Sequence, residues 1–370
     1  MSSFWSNATV HSYNTSESSN ATFSLFNKAC NVFDNSFSVK IGLILVFSTI
    51  MLFSLVGNAF IIVIVYQRKD LRKTTNYFIV NMAASDFAYQ LSVIPERIAQ
   101  IASNSRQWPL GGTGGNICKA IRFLDFVSFA VSSGSLVCIA VDRFVAVVFP
   151  MKAHLVSSRL RTTVITAIWI LALMLNSLDL YAFELVQLSN GDTICTYVND
   201  SILSFRMYYL VYSGIFAIGP LMTITILYCV IAVTLRKQDR SLRGTSVHQK
   251  DRRKKQAIKM TACVIAAFYS CILPSGFRIG LDKTLIAISC SVFKVVWFIS
   301  YIMLYLSSLM NLIICMTFVQ SFRQGFKEIM TCWRKCFTSR SDMEASQSVE
   351  MALEMRIIPG IGENPSFTEN

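Results

Sequence analysis

Asp86, Asp125 and Arg143 stand inside long apolar stretches of this chain. An ionised side chain facing hydrocarbon costs several kcal/mol, so such residues turn to a protein interior and usually serve a function. Cys118 and Arg143 are 25 residues apart. On an α-helix that separation is about 37 Å, close to a full membrane thickness. At about 100° per residue, Cys118, Asp125, Ser132 and Arg143 fall within roughly 20–40° of one line. A single polar stripe therefore runs down one apolar helix and is expected to face other helices. Asp86 needs partners as well, and Ser132, Ser307 and Asn311 are the candidates. A carboxylate with hydroxyl and amide oxygens suits a small hard cation such as sodium.

The elements that must position these groups follow from composition. Apolar residues make up 53% of the 370 and charged residues 15%, against about a quarter charged in a soluble domain. The apolar residues gather in runs, among them Val39–Tyr66, Phe78–Ile94, Val164–Leu175, Ile202–Leu235, Ile258–Leu273 and Val292–Phe318. With flanking residues these reach the roughly 20 needed to cross a bilayer. Helices are expected near Val39–Tyr66, Thr74–Ala102, Gly115–Val148, Leu160–Phe183, Ser204–Arg236, Arg252–Gly280 and Cys290–Phe318. The reading is an all-α membrane protein, a seven-transmembrane helix bundle over residues 39–318. Gln320–Cys336 sets Phe322, Phe326, Ile329 and Met330 against Arg323, Lys327 and Lys335, the pattern of a helix lying in the membrane surface over 319–336. Residues 1–38 and 337–370 read as disordered tails.

The net charge of +13 is distributed as topology demands. Its clusters, Arg68 to Lys73, Lys152 to Arg161 and Arg236 to Lys259, occupy alternate loops, which puts those loops in the cytoplasm and the N-terminus outside. A nucleic-acid patch would sit on one soluble module instead. Met1–Val10 lacks the basic start and short apolar stretch of a cleavable signal peptide. The N-terminal tail carries glycosylation sequons at Asn7, Asn14 and Asn20, and another outer loop carries Asn199. HExxH, GxSxG and phosphate-loop motifs are absent from the sequence, which argues against an enzyme. A transporter or channel would also bury charge, but transporters usually show inverted repeats and Gly/Pro-broken helices, and neither pattern is visible here.

With these residues in place, the chain resembles the rhodopsin-like (class A) G-protein-coupled receptors, and within them the neuropeptide receptors. The resemblance rests on Gly57-Asn58, on Leu71–Asp86, on Trp108-Pro109-Leu110-Gly111 before Cys118, and on Asp142-Arg143-Phe144. Trp169, Pro220 with Tyr228, Phe268 with Cys271 and Pro274, Asn311, and Phe322-Arg323 extend it. It implies a receptor in the plasma membrane that binds an extracellular ligand between the outer halves of its helices and admits a heterotrimeric G protein at Asp142, Arg143 and Tyr228. Arrestin is implied as a further partner, through Ser339, Ser341, Ser346 and Ser348. Ile272, Leu312, Cys315, Phe144 and Lys254 depart from the family pattern, which implies a weaker clamp on the inactive state. Tyr305 replaces the lysine that would bind retinal.

Cys30, Cys118, Cys195 and Cys290 fall on the outer side, where four cysteines allow three pairings. The resemblance favours Cys118–Cys195 and leaves Cys30–Cys290. Cys332 and Cys336 at the inner surface are candidates for palmitoylation, with two ordinary thiols the equal alternative. Asn190-Gly191 between β-prone runs at Val186–Ser189 and Thr193–Val198 predicts a hairpin, as in peptide receptors. Ligand contacts are expected at Asp125, Tyr305, Arg122, Tyr301, Glu184 and Arg278. A peptide is favoured because the mouth carries mixed charge. The alternative is a biogenic amine paired with Asp125, although Ser275 and Gly276 stand where amine receptors place aromatics.

Overall fold

The structure is a computed structural model that describes residues 36–103, 107–151, 157–187, 193–198, 205–241, 248–318, 322–332, 334–335 and 347–348. The expected sequons, Cys30 and Cys336 lie outside the described residues. The chain divides into two compact units, Met1–Val319 and Gln320–Asn370.

Among the described residues, the first unit contains seven long helices. They are α1 (Phe37–Gln67), α2 (Thr74–Ala102), α3 (Gly115–Val148), α4 (Ser158–Leu175), α5 in two stretches (Phe205–Ser213 and Gly219–Ser241), α6 (His248–Ile288) and α7 (Cys290–Phe318). Among the described residues six helices are long and apolar enough to cross a membrane. The exception is α2, which has the length at 29 residues but carries Asp86, Gln90, Glu96, Arg97 and Gln100.

The distribution of polarity is the reverse of a water-soluble core. Leu45, Leu52, Leu171, Leu210 and Ile226 are exposed, while Ser54, Asn58, Asn81, Ser85, Asp86, Gln90, Ser132 and Asn311 are buried. Lipid offers no partner to a polar group, so such groups turn inward and hydrogen-bond across helices. The chain is a multi-pass membrane protein. α3 is the most enclosed of the spans, with 56% of its apolar window buried, as its polar stripe requires.

Prolines show how the interior compensates for broken backbone. Pro220 has no N–H to give the Phe216 carbonyl four residues earlier. A π turn over Gly214–Ile218 precedes it, and the Ser133 hydroxyl of α3 donates to that carbonyl at 2.5 Å. The freed acceptor is thus satisfied by a neighbouring helix, as a membrane interior demands.

Two helix ends lie eight residues from expectation. α4 stops at Leu175 rather than Phe183, because Asn176 turns its amide back to the Ala172 carbonyl at 2.7 Å and caps the helix. One further turn, Asp179–Ala182, leads directly into strand β1 (Phe183–Gln187). β1 pairs antiparallel with β2 (Thr193–Tyr197), with Leu185 opposite Cys195, so the first strand begins three residues before its expected start. α6 runs past Gly280 to Ile288. The charged pair Asp282-Lys283 ends the apolar run there, but helical backbone bonds do not require apolar side chains.

In the second unit, residues 322–332 are helical.

Candidate functional site

α3 supplies the axis of the site. Its first turns bear Cys118, disulfide-bonded to Cys195 of β2, and its last bear Arg143. The hairpin is therefore pinned to the Cys118 end of α3. The Trp108 backbone N–H, donating to the Thr193 carbonyl at 2.6 Å, ties the preceding loop to the same hairpin. Cys290 is also disulfide-bonded.

One turn below the disulfide lies a lattice of buried charge between α2, α3 and α7. Arg122 forms an ion pair with Glu96, whose side chain is 2% exposed. Gln100 donates to the same Glu96 oxygen at 3.0 Å and accepts from Arg97 at 2.8 Å. Arg97 donates to the Tyr301 hydroxyl at 3.2 Å and lies over the Tyr301 ring, 4.5 Å from its centroid. The Trp297 ring is 5.6 Å away. Asp125 faces this lattice within electrostatic reach of Arg122 and Arg97. It is half-buried and makes none of the hydrogen bonds or ion pairs found among the described residues. A carboxylate placed among bases but paired with neither is free to meet a ligand donor.

On the other side of Asp125, rings from α3, α5 and the hairpin touch in sequence. Phe126 meets Tyr212 at 4.8 Å and Phe183 at 6.0 Å; Phe183 meets Tyr197 at 5.6 Å; Tyr197 stacks on Tyr208 at 5.9 Å. Such a wall offers large rigid area with polar tips, the usual material of recognition surfaces.

Below the lattice, Asp86 accepts from Asn311 of α7 at 2.9 Å and from Ser132 of α3 at 3.4 Å. Ser308 also faces it. Ser307, one of its expected partners, instead donates to the Leu304 carbonyl of its own helix at 2.6 Å. One residue turns a helical side chain by about 100°, which is the difference between the two serines.

At the far end of α3, Arg143 donates to Asp142 at 2.5 Å and also hydrogen-bonds Thr75 of α2. Thr75 in turn donates to Asp142 at 2.6 Å. Tyr228 of α5 lies near Arg143 and Thr261. Gln256 of α6 donates to the Phe318 carbonyl of α7 at 2.8 Å.

The expected ligand residues fall into distinct positions. Asp125, Arg122 and Tyr301 belong to the lattice. Tyr305 lies deeper and is fully buried, its ring edge-on to Phe47 at 5.5 Å and tilted against Tyr89 at 5.8 Å. Glu184 is exposed and faces Lys119 at 3.3 Å. Arg278 is on α6, with its side chain outside the described residues. Sequence reasoning missed Glu96, Arg97 and Thr75. The signal for the first two was present: Pro95-Glu96-Arg97 places two charges within a predicted membrane helix. Thr75 had none, since a threonine at a helix start is ordinary. Cys332 is an exposed free thiol.

A family model described as 7 transmembrane receptor (rhodopsin family) matches residues 57–334. Among curated relatives, prokineticin receptor 2 of Homo sapiens is 27% identical over 66% of this chain and 65% of its own length. A QRFP-like peptide receptor of Branchiostoma floridae is 29% identical over 61% of this chain and 60% of its own. The substance-K receptor of Canis lupus familiaris is 28% identical over 76% and 73%. The chain thus spans just under two thirds of the prokineticin receptor's length.

Proposed function

The chain belongs to the rhodopsin family of seven-transmembrane receptors, and from that premise we propose that it is a plasma-membrane receptor, N-terminus outside, that binds an extracellular neuropeptide and activates a heterotrimeric G protein. The observation that carries the reading is the unpaired Asp125 beneath a disulfide-pinned hairpin, on the same helix that ends in Arg143. A ligand at one end of α3 acts on the other by favouring one of two helix arrangements, to the extent of its differential affinity for them.

Relatives named as receptors for prokineticin, substance K and a QRFP-like peptide support a peptide. So does a lattice with two bases and two acids, which suits a ligand of mixed charge. The amine alternative is favoured by Asp125 alone. Arrestin at the C-terminal tail, membrane lipid along residues 322–332, palmitoyl groups on Cys332 and Cys336, glycans on the four sequons and a Cys30–Cys290 bond complete the proposal. Asp86 with the Ser132, Ser308 and Asn311 side chains offers oxygens that fit an allosteric sodium ion.

The test is G-protein activation in cells expressing the chain, against a panel of peptides and biogenic amines, with each hit repeated on Asp125→Asn. A peptide hit supports the reading. An amine hit abolished by Asp125→Asn replaces the ligand class. Ion flux without G-protein activation overturns the receptor assignment in favour of a transporter or channel.

A further inference from the structure

Asp179 is fully buried in the turn between α4 and β1. Tyr208 of α5 donates to its Oδ1 at 2.5 Å, while its Oδ2 has no hydrogen-bond partner among the described residues. A buried carboxylate oxygen left without a donor carries its full desolvation cost. Tyr208, which holds Asp179, also meets edge-on at 5.8 Å the ring of Phe126, the residue after Asp125 on α3, so the two acids flank one cluster of rings. Arg97 and Arg122 are engaged on the α2 and α7 side by Gln100, Tyr301 and Glu96. Tyr208 and Tyr212 stand stacked, 6.2 Å apart with 27° between their planes, and the Tyr212 hydroxyl is spent on the Phe126 carbonyl at 2.8 Å.

We propose that Asp179 and Asp125 together form a subsite for one basic side chain of the ligand, an arginine guanidinium lying on the Tyr208 and Tyr212 rings. The proposal rests on the peptide-receptor reading and names the group that this side of the pocket receives. Two acids with carboxylate oxygens that lack a hydrogen-bond donor among the described residues, set beside aromatic faces, suit a cation, and a planar cation fits best. Guanidinium stacks on rings and donates in a fixed fork to carboxylates, whereas ammonium is a compact, strongly hydrated point charge. Its donors would supply the missing partner of Asp179 Oδ2 and the first partner of Asp125. The same arrangement gives the pocket a direction, with basic ligand groups toward α4 and α5 and away from Arg97 and Arg122.

The test uses the full chain in lipid nanodiscs and two neutral-backbone probes, Nα-acetyl-arginine methylamide and its citrulline isostere. Binding of a probe to the folded state raises the thermal midpoint by mass action. The arginine probe is expected to raise it in a dose-dependent manner and the citrulline probe not to. Asp179→Asn and Asp125→Asn are each expected to weaken the arginine probe at least tenfold. Tyr208→Phe keeps the ring and releases Asp179, so it should bind the probe as well as the native chain or better. If Asp179 only tied the α4 end to α5, Tyr208→Phe would lose whatever Asp179→Asn loses. Equal shifts from both probes, or an unchanged response in Asp179→Asn, overturn the subsite; should that variant not fold, the probe comparison and Tyr208→Phe still decide. Neither readout needs G-protein activation, so a failed subsite leaves the receptor assignment standing on its own assay.

Discussion

Arg122 of α3 and Glu96 of α2 form an ion pair from which water is nearly excluded, their side chains being 11% and 2% exposed. A buried pair adds little net stability over apolar residues, but removing one partner strands the other, at about 3–5 kcal/mol. Glu96→Ala is therefore expected to lower the thermal midpoint of the detergent-solubilised chain sharply. Glu96→Leu with Arg122→Met should recover most of the loss. If the double variant is no more stable than Glu96→Ala, the pair does not carry the α2–α3 contact assigned to it.

Gly57 of α1 meets Leu312 of α7, where a Cβ built on the glycine would stand 2.6 Å from the leucine Cδ2. That methyl is the end of a flexible side chain, so it can turn away at about 0.5–1.5 kcal/mol. Glycine to alanine inside a helix gains about 1 kcal/mol. The two nearly cancel, and Gly57→Ala alone is expected to change stability little. In a Leu312→Ala background the clash disappears and the same substitution should stabilise by about 0.5–1 kcal/mol. A double-mutant cycle of unfolding midpoints measures the difference, and a coupling near zero would show that the contact is absent.

Much of this architecture is visible in the residues themselves. The bounds of α2, α3 and α7 follow from where apolar runs meet charge and glycine, and the hairpin from Asn190-Gly191. The stripe of Cys118, Asp125, Ser132 and Arg143 needs only the helical period. What the sequence hides is which neighbour each polar group finds. Ser307 and Ser308 differ by one position and a rotation of about 100°, and only packing decides which meets Asp86. Asn176 is an ordinary polar residue until its amide caps α4. Glu96 and Arg97 were legible as charges in a membrane helix, yet their partners sit 26 and 204 residues away. Thr75 is informative only beside Asp142.

The Asp86 cluster makes a claim on solution chemistry. If sodium sits among the Asp86, Ser132, Ser308 and Asn311 oxygens, it stabilises the arrangement that binds it. At ten times its dissociation constant the gain is about 1.4 kcal/mol. Replacing choline by sodium in the buffer is expected to raise the thermal midpoint of the native chain, and Asp86→Asn should abolish that rise while leaving the choline value intact or higher. A sodium response that persists in Asp86→Asn locates the ion elsewhere.

Thr75 holds both members of the Asp142–Arg143 pair, and it does so from another helix. Its hydroxyl thus restrains the residue proposed to meet the G protein. Hydrogen bonds to charged groups contribute about 1.5–3 kcal/mol. Thr75→Val keeps the shape and removes the bonds, so the population with Arg143 released should grow roughly tenfold or more. Basal G-protein activation per receptor at the cell surface is expected to rise in Thr75→Val, to return to the native value in Thr75→Ser, and to vanish when Arg143→Ala is added. Unchanged basal activation at equal surface expression would mean that the Arg143 restraint comes from groups other than Thr75. Activation that survives Arg143→Ala would remove the arginine from the coupling role altogether.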